Sequence, residues 1–98
     1  MAFQDAYNFD LLVNEAEKLV IDELGAQLGA YEGKLCRCND CVVDMAAVAL
    51  NTVKPLYRVS LLGAQYASQA KNEAAYAGTL RETVSKAIEK VRKNPSHD

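Results

Sequence analysis

Residues 36–50 read CRCNDCVVDMAAVAL, and the rest of the chain is organised around this stretch. All three cysteines of the protein lie within its first six positions. Beyond the last cysteine the only polar side chain is that of Asp44. A helix that is apolar on every face is typically buried on every side, so we predict a central helix over residues 40–52. Asn39 or Asp40 is its expected N-cap, because short polar side chains accept hydrogen bonds from the first helical N–H groups.

The length and composition predict one small globular domain, spanning residues 1–98. Half of the residues (50%) are apolar and 24% are charged, which is typical of a folded protein. A chain this short has a marginal core unless a metal, a disulfide or a partner subunit supports it. No apolar run approaches the roughly 18–20 residues of a membrane span, and the polar beginning does not resemble a secretory leader. We therefore expect a cytoplasmic protein with no membrane contact, where clustered thiols favour metal or redox roles.

The net charge of −2 is unevenly distributed along the chain. Residues 1–44 carry nine acids and three bases, a net charge of −6, whereas residues 45–98 carry four acids and eight bases, a net charge of +4. This pattern is typical of solvated helix faces. A nucleic-acid surface is normally more basic, so we do not expect direct binding to DNA.

An amphipathic helix is predicted over residues 8–30, with Asn8 or Asp10 as its N-cap. Its apolar positions recur at helical spacing, and glycines mark its end. The apolar residues of this helix that recur at helical spacing are Leu12, Ala16, Leu19, Val20, Leu24 and Leu28. The cysteine loop, residues 34–41, follows the helix.

Residues 56–61 alternate and are rich in strand-forming side chains, which predicts a short extended strand after Pro55. A single strand leaves its edges unpaired, and the sequence offers no convincing second strand. We therefore predict antiparallel pairing with the same strand of a second subunit, in a homodimer.

A last helix is predicted over residues 64–93. At ~1.5 Å per residue it would be ~43 Å long, which exceeds the width of a compact domain of this size. It either extends across a dimer or breaks near Gly78-Thr79, where Thr79 and Glu82 have the spacing of a capping box. We favour the break.

The cysteine spacing predicts a structural zinc site. Zinc prefers four tetrahedral ligands, most often thiolates, and Cys38-x-x-Cys41 at the start of a helix is the usual half-site. Cys36 can supply a third sulfur. Asp44 follows Cys41 by nearly one helical turn, and burying this acid unpaired would cost several kcal/mol, which a ligand role or a salt bridge to a nearby arginine would offset. The candidates for the fourth ligand are Asp44, Asp40, His97 or a residue of a partner chain.

The alternatives to zinc are buried thiols without metal, a redox CxxC pair and a cysteine nucleophile. No βαβ pattern surrounds the cysteines, which disfavours a thioredoxin-type pair. A nucleophilic cysteine needs a base, and the single histidine, His97, lies in the tail. The sequence has no glycine-rich phosphate loop. We therefore predict a protein that is not an enzyme.

One series of residues resembles a known family. It runs Cys36-x-Cys38-x-x-Cys41-x-x-Asp44, Ala46-x-Val48-Ala49-Leu50-Asn51 and Lys54-Pro55-x-Tyr57-x-Val59. Together with Asn14-x-x-Glu17-x-Leu19-Val20-x-x-Glu23 and Asn94-Pro95-Ser96-His97, it is similar to the late-competence ComFB family over nearly the whole chain. The resemblance implies a small protein that is all-α or nearly so, a homodimer, and zinc bound by the three cysteines. It thus implies a regulatory or interaction role.

The same resemblance implies a second possible function, because cyanobacterial relatives are described as receptors for c-di-GMP or c-di-AMP. A cyclic dinucleotide needs cations for two phosphates and flat groups for two bases. Those relatives carry Lys-Thr-Gln after a tyrosine, where this chain has Ala67-Ser68-Gln69 after Tyr66. The candidate ligand-binding residues are Lys54, Tyr57, Arg58, Tyr66, Gln69 and Lys71.

Overall fold

The computed structural model describes residues 2–59 and 74–95. Within them the chain forms three α-helices, two short strands and two 3-10 turns. These elements are, in chain order, the turns Phe3–Ala6 and Phe9–Leu11, β1 (Val13–Asn14), α1 (Glu15–Ala30), α2 (Asn39–Leu50), β2 (Tyr57–Arg58) and α3 (Ala74–Lys93). The predicted architecture, all-α or nearly so, is confirmed.

Each helix packs against the other two, and the core lies between them. Every helix contributes a stripe of buried side chains at helical spacing, so the three stripes meet. α2 contacts both α1 and α3, as the prediction of a helix with others packed about it requires, and the three helices share one core. The buried residues are Ala16, Val20, Leu24 and Leu28 from α1, Cys41, Met45 and Ala49 from α2, Val53, and Val84, Ala87, Ile88 and Val91 from α3.

The first helix begins later than the sequence predicts. Asn14 is its N-cap, and the Asn14 side chain accepts a hydrogen bond from the backbone N–H of Ala16 at 3.1 Å. Asn8 does cap a helical segment, but only the 3-10 turn Phe9–Leu11. The prediction of a helix over 8–30 is therefore wrong for residues 8–14 and right for the remainder.

The predicted strand is present at Tyr57–Arg58 and has a partner within the same chain. β2 pairs antiparallel with β1, with Val13 opposite Arg58 and Asn14 opposite Tyr57. The expectation that the chain holds no second strand is thus wrong. Two residues are too few to display the alternation by which a strand is recognised in sequence. Residues 60–61, the end of the predicted strand, lie outside the described part.

α2 covers most of the predicted range, but its N-cap is Cys38 rather than Asn39 or Asp40. It is also not buried on every side. Met45 is 1% exposed, whereas Val43 is 58% exposed. The described elements that pack on α2 cover only part of its surface, so an apolar helix keeps an apolar face in contact with solvent.

α3 is a continuous helix from Ala74 to Lys93 and passes through Gly78 and Thr79 without interruption, so the favoured break is wrong. Tyr76 and Leu80 pack against the core on either side of the glycine, which holds both halves on one axis. The predicted beginning of this helix, residue 64, falls outside the described residues. Across 2–59 and 74–95, no helix is both long enough and apolar enough to cross a bilayer.

Candidate metal centre

The loop that carries the cysteines is fixed to the end of α1. The guanidinium of Arg37 donates a hydrogen bond to the backbone carbonyl of Leu28 at 2.7 Å. Carbonyl groups in the last turn of a helix lack helical partners and carry partial negative charge, so a cation there is stabilising. Gly33 turns the loop with a φ of 118°, a conformation that other residues rarely adopt. The sequence reading missed this role of Arg37, although a basic residue shortly after a helix end is a recognisable signal.

The three cysteine sulfurs lie within 4.8 Å of one another. Cys41 is buried, Cys36 is half-buried and Cys38 is exposed, so the cluster lies at the protein surface with one side in the core. No disulfide joins them. Sequence spacing predicted this cluster, and the structure brings all three predicted ligands together.

Cys38 shapes both the cluster and the helix. Its sulfur accepts a hydrogen bond from the backbone N–H of Cys41 at 3.4 Å, and its carbonyl accepts one from the N–H of Val42 at 3.0 Å. The sulfur therefore replaces the oxygen that normally caps a helix. The positive end of the α2 dipole favours negative charge at this point, which suits a metal-binding thiolate.

The donor set fits zinc. Tetrahedral zinc with Zn–S bonds of ~2.3 Å places its sulfurs ~3.8 Å apart, so sulfurs within 4.8 Å of one another need only small movements to share one ion. Cys36, Cys38 and Cys41 would hold it. A structural zinc ion supplies cross-linking and no reaction chemistry in such a site.

None of the predicted fourth ligands is brought into the cluster among the described residues. The group within 4.8 Å consists of the three sulfurs and contains neither Asp40 nor Asp44. Asp44 is half-buried rather than enclosed, so water relieves much of the expected cost of its charge. His97 lies outside the described part of the chain. The fourth ligand stays a prediction.

A hydrogen-bonded network ties the loop to α3. The Tyr31 hydroxyl donates to Glu89 Oε1 at 3.0 Å, and the guanidinium of Arg92 binds Glu89 Oε2 at 2.7–2.8 Å. The bond from Arg92, followed by that from Tyr31, holds the pKa of Glu89 below its usual value. Partial burial, and then the contact with Glu89, raises the pKa of the Tyr31 phenol. The loop between α1 and α2 is thus held from two sides.

Three of the six predicted ligand-binding residues lie in the described part of the chain. Lys54 and Tyr57 are exposed, whereas Arg58 forms an ion pair with Glu15, so a phosphate would have to displace an existing partner. The other three, Tyr66, Gln69 and Lys71, lie outside the described residues. The cyclic-dinucleotide site therefore stays a prediction.

Comparison with known proteins agrees with the fold and with the family that the sequence resembles. The family model described as late competence development protein ComFB matches residues 13–95. The solved structure of the late competence protein ComFB from Bacillus subtilis is similar, with a TM-score of 0.70 and 23% identity over 87% of this chain and 92% of that one. At this identity the structural match establishes the fold alone. No curated protein matches the sequence.

Proposed function

The chain belongs to the family of late competence development protein ComFB, and we propose that it is a small cytoplasmic regulatory or scaffolding protein without catalytic activity. In this proposal it acts as a homodimer in which each chain binds one structural zinc ion. The observation that carries it is the meeting of three cysteine sulfurs within 4.8 Å at the start of α2.

A structural role for the metal is supported by where the cysteines lie. Cys38 caps α2, and Cys41 is a core residue of the same helix. A bound ion would fix the direction in which α2 leaves the loop. The reducing conditions of the cytoplasm would keep the sulfurs available as ligands.

The non-catalytic part of the proposal is supported by the side chains near the sulfurs. The single histidine of the chain is His97 in the tail, so residues 2–59 and 74–95 contain no imidazole that could serve as a base for a thiol. The ionic groups fixed around the loop, Arg37 and Glu89, already bind a helix carbonyl and other side chains. These contacts hold the loop in place and leave neither group free to act as a catalytic acid or base.

The zinc assignment is tested by metal analysis of protein purified without chelator. We expect about one zinc per chain, and loss of the metal in Cys38→Ser, whose side chain is exposed so that packing is little changed. Asp40→Asn, Asp44→Asn and His97→Ala then search for the fourth ligand, since only the variant lacking that ligand should bind zinc more weakly. Protein that is fully folded and carries no zinc would contradict the proposal.

The homodimer is tested separately by sedimentation. We expect a dimer at tens of micromolar, a concentration at which a specific interface of ordinary strength is occupied. A wild-type protein that stays monomeric there would overturn this part without affecting the zinc assignment.

A further inference from the structure

The described part of the chain has an apolar groove that no described residue fills. It lies between α1 and α2 and has a volume of about 540 Å³. Ile21 and Val43, on its two sides, are each 58% exposed. At Gly25, on its α1 side, an added Cβ would meet no atom within 4 Å. Pockets of this size typically enclose apolar groups of a ligand.

The groove is unsuited to a charged ligand. Of its lining residues only Glu17 carries a charge, and the side chains from α2 include Ala47 and Leu50. A monomeric protein rarely leaves a continuous apolar surface uncovered. The chemistry of the surface therefore calls for an apolar occupant.

The same chain carries an apolar segment that its own core does not bury. We call residues 3–12 the N-terminal arm. Phe3, Tyr7 and Phe9 are 73%, 61% and 51% exposed, and their ring centroids lie 5.0–6.3 Å apart. Neither 3-10 turn of the arm contains a buried residue. The arm is thus a preformed aromatic cluster in solvent, and clusters of this kind act as anchors in protein interfaces.

We propose that the N-terminal arm of a second copy of this chain occupies the groove, and that the exchange is reciprocal. Each molecule then donates one arm and accepts one, which satisfies the two-fold symmetry of a closed dimer. The inference rests on the homodimer proposed above and assigns its interface. The whole arm precedes residues 13–95, the part of the chain that the family model matches, so the family assignment does not itself supply this contact.

The area involved is sufficient for a stable dimer. A fully exposed aromatic side chain offers ~150–250 Å². The three rings keep 73%, 61% and 51% of their exposure, so burying them and the matching groove surface twice removes on the order of 1,500 Å² from solvent. Specific protein interfaces typically bury about 1,200–2,000 Å². The exchange also covers the exposed apolar face of α2 that the described elements of its own chain leave open.

Sedimentation over a range of protein concentrations tests the exchange with three variants. Phe9→Ser alters the arm, Val43→Glu alters the groove, and Tyr57→Ser is the matched control at an exposed aromatic outside both. Circular dichroism confirms that each variant is folded. We expect Phe9→Ser and Val43→Glu each to raise the dimer dissociation constant at least tenfold, and Tyr57→Ser to leave it unchanged.

Mixing the two disrupted variants tests the reciprocity. The arm of Val43→Glu is intact and so is the groove of Phe9→Ser, so the mixture should form a heterodimer with one working contact, more tightly than either variant self-associates. A dimer weakened by Val43→Glu but not by Phe9→Ser would overturn the arm as occupant and indicate a groove-to-groove interface. A dimer weakened only by Tyr57→Ser would place the interface at β2 and overturn the inference. A monomeric wild type would overturn the homodimer itself, a different result from either.

Discussion

The side-chain oxygen of Asn14 accepts a hydrogen bond from the backbone N–H of Leu56 at 2.8 Å, across 42 positions of sequence. The same oxygen accepts from the N–H of Ala16, at the start of α1. One residue therefore caps a helix and holds the segment that enters β2. The side-chain amide of Asn14 thus adds to the β1–β2 pairing in joining the beginning of α1 to the chain after α2.

Replacing Asn14 by Ala should lower the free energy of unfolding by about 2–3 kcal/mol, because a helix loses its cap and the half-buried N–H of Leu56 loses its partner. Denaturant unfolding measures the change. Asn8→Ala is the matched control, since Asn8 caps only an exposed 3-10 turn and its loss should cost less than about 0.5 kcal/mol. Equal effects of the two substitutions would contradict the bridging role.

The difference between the two faces of α2 gives a second prediction. Met45→Ala should destabilise the protein by about 2–5 kcal/mol, because it leaves a cavity among fully buried neighbours. Val43→Ala, two residues away and 58% exposed, should cost less than about 0.5 kcal/mol when measured at a protein concentration too low for association. A similar loss at both positions would mean that α2 is buried on both faces.

The ion pair between Arg58 and Glu15 is a third test, because both side chains are less than one-third exposed. A double-mutant cycle with Arg58→Ala and Glu15→Ala should give a coupling energy of about 1 kcal/mol or more, since charged hydrogen bonds strengthen as water is excluded. The pair Lys18 and Asp22, 75% and 62% exposed, provides the control and should couple by only about 0.3–0.5 kcal/mol. Equal coupling in the two pairs would argue that Arg58 is free to serve a ligand.

The lowered pKa of Glu89 predicts a specific dependence on pH. A carboxyl whose pKa is lowered by folding stabilises the folded state above its ordinary pKa of 4.5, and this contribution is lost as pH falls through the lowered value. Unfolding of wild type and Glu89→Gln should therefore differ most near neutral pH and converge in acid. Glu82→Gln is the comparison. The contact with Lys86 also lowers the pKa of Glu82, but that pair is highly exposed and screened by salt, so its pH-dependent difference should be smaller. A difference between wild type and Glu89→Gln that is constant across pH would contradict the prediction.

The cysteine cluster and the helical class were predictable because both depend on local sequence. Spacing alone brings Cys36, Cys38 and Cys41 to one point, and apolar periodicity is enough to identify three helices. The N-terminus of α1 was not predictable in this way. Asn8, Asp10 and Asn14 are equally good caps by residue type, and the choice is made by Leu56, which is distant in sequence.

The exposure of Val43 was missed for a different reason. The sequence shows that α2 is apolar on every face, but it does not show how many other elements pack against those faces. The continuity of α3 through Gly78 was missed for the same kind of reason. The packing of Tyr76 and Leu80 against the core outweighs the modest preference of a glycine to interrupt the helix. Local patterns thus identified the elements, and tertiary contacts decided their ends and faces.

The three sulfurs come from only six consecutive residues, which has a consequence for the order of folding. Closing so short a ring costs little chain entropy, so the zinc ion proposed above should bind this segment while the rest of the chain is still unfolded. Metal bound to the unfolded chain cancels part of the stabilisation that it gives to the native state. The ion should therefore speed the formation of α2 more than it raises the melting temperature, acting early in the folding pathway.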